Sequence, residues 1–353
     1  MRDDGGKATT ARRVFVVGGT GPTGVPLVDA FLRDGDEVAI YDTGTHEAVF
    51  AGAVEHLHGD PRDAENIART LGEREWEIAV CTSGRLRALA TALAGRVRRL
   101  VGITGQPVYR GANQPTPAGR IPLPVPEFAE RQRDAANDTA RVAEGEDQLS
   151  EQHGRRDFEA VVVCYPGIFG PRVPLAHEWA VVKRVLDGRP FMLLPHDGMA
   201  YFQRAYAEDA AHLVHLAATR PEAAGEAFNC GDERVLSARH VAEIVVETLG
   251  SEMELVGVPA PLCRGVYPLA EKSNMVLDTS KTRSLLGYRD PVLVEEATRR
   301  TARWLAEHPP AEGDLSPGAT GRFDYEREER ILAAWRSALA RAEAALGEGA
   351  RTP

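Results

Sequence analysis

Three glycines spaced three apart, Gly18, Gly21 and Gly24, follow an apolar run at 14–17 in "VFVVGGTGPTGVPLVDAFL". A strand that ends in glycine and leads into a helix lets a ligand approach bare backbone. The first turn of such a helix offers unpaired N–H groups to a pyrophosphate. Thr20, Pro22 and Thr23 belong to the same turn. The next apolar run, 38–41, ends in Asp42, 18 residues past Gly24. A carboxylate there suits the hydroxyls of an adenosine ribose and repels a 2′-phosphate. The chemistry these residues allow is dinucleotide binding, with NAD favoured over NADP.

The elements that must position them follow from the apolar pattern. Strands are expected at 14–17, 38–41, 78–82, 99–104 and 160–166, with helices over 22–33 and in "LATALAG". Such alternation, with fully apolar and β-branched strands, predicts a parallel sheet covered on both faces. The expected fold class is α/β: a Rossmann-type doubly wound parallel sheet, a smaller C-terminal mixed α/β substrate domain, and a helical tail. The expected divisions are a disordered N-terminus at 1–12, a dinucleotide-binding domain at 13–170 and a substrate domain at 171–308, with some chain returning to the sheet. A linker and C-terminal helix occupy 309–353. The proline-rich stretch 105–133 reads as a long loop near the site. The tail presents Ile331, Leu332, Trp335 and Leu339 on one face, suited to packing on its own domain, with oligomer contact as the alternative.

Bulk properties narrow the function. The chain has 353 residues, 43% of them hydrophobic, and a formal net charge of -10. An acidic surface repels phosphate backbones, so nucleic acid is not an expected partner. Cysteines stand at 81, 164, 230 and 263, far apart and without metal-ligand spacing, so no metal and a reducing cytoplasm are expected. The N-terminal stretch has no apolar signal run and no segment approaches membrane-spanning length, so no membrane partner is expected either. The expected partners are a small-molecule substrate and, in a homodimer, a second copy of the chain.

Several further motifs carry a family resemblance over roughly 13–305. They are "GGTGPTG", "HGDPRD" at 58–63, "YPGIFGPR" at 165–172, "AYAEDAAHLVHLA" at 205–217, "GEAFNCGDE" at 225–233 and "LDTSKTRSLLGY" at 277–288. The chain resembles the extended or atypical short-chain dehydrogenases/reductases of the NAD-dependent epimerase/dehydratase type. Some motifs are also close to the chloroplast stem-loop-binding branch. The resemblance implies NAD as cofactor, with Asp60 or Asp63 approaching the adenine. It places Thr82 and Ser83 along the cofactor, and Pro166 and Gly167 near the nicotinamide end.

One part of the family pattern is absent. Its proton work is done by a Ser or Thr, a Tyr, and a Lys four residues after the Tyr. Laid on "DAANDTARVAEGEDQL" at 134–149, those last two positions hold Asp138 and Val142. No tyrosine lies between Tyr109 and Tyr165, and no lysine between Lys7 and Lys183. The serine position falls at Thr104 or Gly105. Two readings stay open. In one, the catalytic groups have moved, with Thr104, Tyr109 and Tyr165 as candidates at strand ends. His177, Arg204 and Tyr206 would then bind substrate, Arg204 as a clamp for a phosphate or carboxylate. In the other, the protein binds NAD and does no chemistry. Glu144 and Glu146 read as a solvated helix face.

Overall fold

The structure, a computed structural model, describes residues 11–82, 86–112, 121–134, 139–174, 177–272, 274–311 and 323–346. Ser83, Asp138, the N-terminal stretch through residue 10 and most of the expected linker lie outside the described residues. The first elements are β1 (Arg13–Val17), α1 (Gly24–Arg33), β2 (Glu37–Asp42), β3 (Glu55–His58), α2 (Ala64–Leu71), β4 (Trp76–Cys81), α3 (Leu86–Leu93) and β5 (Val97–Gly105). Then come α4 (Ala140–Arg155), β6 (Glu159–Tyr165), β7 (Gly167–Phe169), α5 (Trp179–Leu186), β8 (Phe191–Pro195) and β9 (Arg204–Tyr206). The chain continues through α6 (Ala207–Thr219), β10 (Ala227–Asn229), α7 (Ala238–Thr248) and β11 (Glu254–Val258). It closes with α8 (Ser280–Leu286), α9 (Val294–Glu307) and α10 (Tyr325–Leu346).

The chain divides into two compact units. Unit 1 comprises residues 1–168, 205–233 and 277–292; unit 2 comprises 169–204, 234–276 and 293–353. The two later segments of unit 1 supply the edge strand β10 and the helices α6 and α8.

Unit 1 holds a parallel sheet ordered β10-β6-β5-β4-β1-β2-β3. The order reverses between β1 and β4, and in such sheets ligands bind outside the carboxyl ends at that reversal. Strand alternation explains the two faces. Val14 and Val16 pack with Leu27, Phe31, Leu213 and Val214 on the α1 and α6 side. Phe15 and Val17 pack with Ile67, Leu89, Leu93 and Leu149 on the other. Because both faces are covered, both side-chain sets must be apolar, and the strands read as unbroken apolar runs.

Unit 2 is built from α5, α7, α9 and α10 around the parallel pair β8–β11, with Met192, Leu194, Val241, Tyr267 and Leu305 in its core. Ile331, Leu332 and Trp335 of α10 join this core, as the apolar stripe predicts. Leu339 does not: it is 42% exposed, because inward packing ends after the first half of the helix. None of the described helices is long and apolar enough to cross a membrane. All four cysteines are buried, and none forms a disulfide among the described residues.

A buried ion pair seats α10. Arg184, fully buried on α5, meets Glu328 through two hydrogen bonds, Nη2 to Oε1 at 2.5 Å and Nε to Oε2 at 3.2 Å. Phe323 lies 5.0 Å from the guanidinium carbon. Removing one charge of such a pair strands the other out of water. Glu328→Gln should therefore lower the unfolding free energy by about 3–5 kcal/mol. Denaturant titration reads this, and a midpoint equal to wild type would show that α10 is held by its apolar stripe alone.

Candidate functional site

The turn after β1 uses its three glycines for three different reasons. Gly18 has φ +83°, a left-handed conformation that a side chain disfavours. Gly24 opens α1, and a Cβ there would collide with the carbonyls of Gly18 and Gly19. Gly21 is different. A Cβ there would meet only the Gly18 carbonyl, at an ordinary 3.5 Å, and its φ is not left-handed. The chain itself gives no steric reason for glycine at 21, which fits a position kept bare for something else to approach. Thr23 precedes α1 without a side-chain cap, and no acidic residue occupies the first turn. The N–H groups at this helix start thus carry no counter-charge from the helix itself.

Asp42 ends β2. Its Oδ1 accepts from the Gly44 amide at 2.7 Å and lies 3.3 Å from His58 Nδ1. Its Oδ2 is buried and has no hydrogen-bond partner among the described residues. A buried lone carboxylate oxygen is costly, and a ribose hydroxyl would satisfy it. Thr82 reaches back from the end of β4. Its hydroxyl donates to the carbonyls of Val17 at 2.9 Å and Gly18 at 3.2 Å, pinning the turn. Asp63 caps α2, accepting from Glu65 N and Asn66 N. Asp60 is exposed and accepts from Arg62 N.

A second cluster lies under the ends of β5 and β6. The Thr104 hydroxyl donates to Glu146 Oε1 at 2.8 Å, and Arg131 Nε donates to Glu146 Oε2 at 2.6 Å. Arg131 also holds the carbonyls of Glu127 and Ala129, each at 2.8 Å, and lies 4.6 Å over the Tyr109 ring. Tyr109 is 1% exposed, and its hydroxyl donates to Asn229 Oδ1 at 2.6 Å. Burial pushes its phenol well up, so it stays protonated. Burial, and after it the Glu146 charge, pushes the Cys164 thiol up to about 12, so this cysteine is no ready nucleophile. A cavity of about 370 Å³ opens beside Arg131 and Glu146, with Leu149, His153 and Glu226 in its wall.

Glu146 corrects the sequence reading. It is not on a solvated face; its side chain is 10% exposed and ion-paired, whereas Glu144 pairs with Arg87 at the surface. The signal was present. Glu146 stands three residues after Ala143 and three before Leu149, both buried on α4. Arg131, Asn229 and His58 also went unmarked, since each gains its role only from a partner distant in sequence.

Tyr165 ends β6 on the opposite face, packed against the core that holds α1. Its hydroxyl is buried and makes no hydrogen bond among the described residues, with Thr23 of the glycine turn as its polar neighbour. Burial raises this phenol too. Pro166 is buried beside it, and Gly167 starts β7. Tyr206, also in unit 1, is 1% exposed; its amide donates to Asp232 and its hydroxyl to Glu208. His177 and Arg204 belong to unit 2 and are each 6% exposed. Arg204 is ion-paired with Glu178, and its guanidinium lies 4.1 Å over Phe169.

No known family profile matches the sequence. Over 167 residues the chain is 25% identical to the uncharacterized protein YbjS of Escherichia coli, covering 40% of this chain and 48% of that one. Over 177 residues it is 24% identical to the uncharacterized protein y4nL of Sinorhizobium fredii, covering 43% and 48%. The chain spans about half the length of these curated relatives. Among solved structures, a UDP-glucose 4-epimerase of Thermotoga maritima with UDP-glucose has a TM-score of 0.67 and 18% identity, covering 84% of this chain and 99% of that one. A dTDP-glucose 4,6-dehydratase of Bacillus anthracis in complex with NAD has a TM-score of 0.65 and 15% identity, covering 84% and 97%. The dehydratase DesIV of Streptomyces venezuelae, with NAD bound, has a TM-score of 0.65 and 21% identity, covering 87% and 99%. At these identities the likeness is one of fold: a Rossmann-type sheet of the kind found in NAD-dependent epimerases and dehydratases.

The two glycines should separate in a stability assay. Gly24→Ala should cost about 1–3 kcal/mol, as overpacking does, while Gly21→Ala should stay within about 0.5 kcal/mol of wild type. Equal losses in thermal unfolding would mean that both glycines serve packing. In the second cluster, Glu146→Ala leaves the Arg131 guanidinium without its carboxylate. It should lower stability by about 3 kcal/mol, measured by the same unfolding experiment, and a loss under about 0.5 kcal/mol would make the pair incidental.

Proposed function

We propose that this protein is an NAD-dependent enzyme of the short-chain dehydrogenase/reductase kind. It would act by redox, epimerisation or elimination on a small polar metabolite of the modified-sugar class. The observation that carries the reading is the Asp42 carboxylate, held by one oxygen and left with a buried, unsatisfied second oxygen at the end of β2. The bare position at Gly21 and the uncapped start of α1 fit the rest of the same ligand. Bound NAD would supply the acceptor and donor of hydride. The solved structures of like fold include proteins crystallised with NAD and with nucleotide sugars, which supports the substrate class.

The proton work falls to residues other than a Tyr–Lys pair. Thr104 Oγ1 gives its own proton to Glu146 and keeps lone pairs for a substrate hydroxyl. Glu146 is then the proton acceptor behind it, and Arg131 holds that carboxylate in place from its other oxygen. Tyr165, protonated and without a hydrogen-bond partner among the described residues, is the second proton-bearing group at a strand end. Tyr109 has its hydroxyl engaged by Asn229 and serves to hold the loop.

That engagement also favours a second reading: an NAD-binding sensor or scaffold in which the Thr104 and Tyr109 hydroxyls only stabilise the fold. Calorimetry and turnover separate the two. Wild type should bind NAD, and Gly21→Val should weaken it by at least about 10²-fold without loss of fold. Asp42→Ala should narrow the preference for NAD over NADP. With UDP-glucose and dTDP-glucose as probes, Thr104→Val should lower turnover by about 10²-fold while NAD affinity holds. NAD binding with no turnover on either sugar nucleotide would favour the sensor reading, and absence of NAD binding would end both.

A further inference from the structure

The register of β2 and β3 sets His58 directly across from Asp42. Paired residues on adjacent parallel strands share a face, so the imidazole and the carboxylate meet at the strand ends, Nδ1 to Oδ1 at 3.3 Å. A carboxylate only accepts, so Nδ1 carries the proton and donates. The same Oδ1 takes the Gly44 amide at 2.7 Å. Gly44 also makes room for the ring. It has φ +72°, and a Cβ there would lie 3.3 Å from His58 Nδ1. Two donors on Oδ1 fix the carboxylate's rotation, which leaves Oδ2 as the buried oxygen without a partner. The imidazole itself is 58% exposed against 13% for Asp42. Its outer side therefore faces solvent next to the oxygen that awaits a ribose.

We propose that His58 determines dinucleotide selectivity at this site, holding Asp42 with Oδ2 turned to the ribose hydroxyls and occupying the flank that a 2′-phosphate would need. This rests on the NAD reading above. His58 is a positioning residue: it acts on the ribose through Asp42. Its ring adds bulk beside the carboxylate's charge, so a phosphate on the 2′-oxygen meets both a repelling anion and a filled space. An arginine at 58 would reverse the second effect. A guanidinium could pair with Asp42 and still present donors to the phosphate.

The test is calorimetric binding of NAD and of NADP to the full chain, with thermal unfolding as the control for fold. His58→Ala should weaken NAD by about 3- to 10-fold, the scale of one lost hydrogen bond, and narrow the NAD-to-NADP ratio. His58→Asn places an amide N–H where Nδ1 stood and should retain NAD affinity to within about twofold. His58→Arg should strengthen NADP by at least about tenfold with Asp42 untouched. If wild type binds NAD and all three variants keep both affinities, His58 is a bystander and the NAD reading stands without it. If His58→Asn loses as much as His58→Ala, the hydrogen bond to Asp42 is not what matters and the positioning role falls. If wild type binds neither dinucleotide, the NAD reading itself has failed and the role of His58 goes with it.

Discussion

The contact on which unit 1 depends is backbone against backbone: the start of α1 lies on the carbonyls at the end of β1. A Cβ at Gly24 would strike Gly18 and Gly19, and one at Gly19 would strike Ile40. The close approach brings the helix start to the strand end, so its N–H groups point where the sheet order reverses. Thr82 reinforces the arrangement from the next strand by donating to the two carbonyls that the turn exposes. Phe15 and Val17 on one face and Val14 and Val16 on the other can be apolar throughout because this geometry lets helices cover both sides.

Around that constraint, unit 1 sorts its polar groups into satisfied and unsatisfied ones. Tyr109, Thr104, Arg131 and Asn229 each have partners, and their network ties the long loop after β5 to α4 and β10. Buried polar groups that are fully paired rigidify a core at little net cost. Among the buried side-chain atoms without a hydrogen-bond partner in the described residues, Asp42 Oδ2 and the Tyr165 hydroxyl belong to residues that end strands of the sheet at their carboxyl side. Orphaned atoms placed where such sheets bind ligands carry more functional information than the paired ones around them.

The α4 helix joins packing and charge. Its buried side is Ala140, Ala143, Leu149 and Gln152. The positive charge of the cluster comes from Arg131 on the loop, and Glu146 on the helix supplies the carboxylate. Unit 2 uses buried charge differently. Arg184 with Glu328 and Arg204 with Glu178 are both nearly without exposure, and each arginine also stacks on a phenylalanine. Such pairs add little net stability over an apolar filling, but breaking one is expensive.

The strand runs, the glycine turn, the place of Asp42 at the end of β2 and the two-faced sheet were legible in the linear chain, because each depends on residues within a strand or turn of one another. Apolar periodicity and glycine spacing are local, and the sheet class follows from them. The fate of the hydroxyls was not legible. Thr104 and Glu146 are 42 residues apart, and Tyr109 and Asn229 are 120 apart. Whether a phenol at a strand end is free or engaged depends on which distant side chain the fold brings to it. The same holds for Arg204, whose sequence context suggests an anion clamp and whose buried partner, Glu178, is 26 residues away. It also holds for Asp63, which the motif assigns to a cofactor and which caps α2. Residue type and spacing settled what chemistry was on offer; only packing decided which groups were already spoken for, since a hydrogen bond is made in space and leaves no trace in the order of residues.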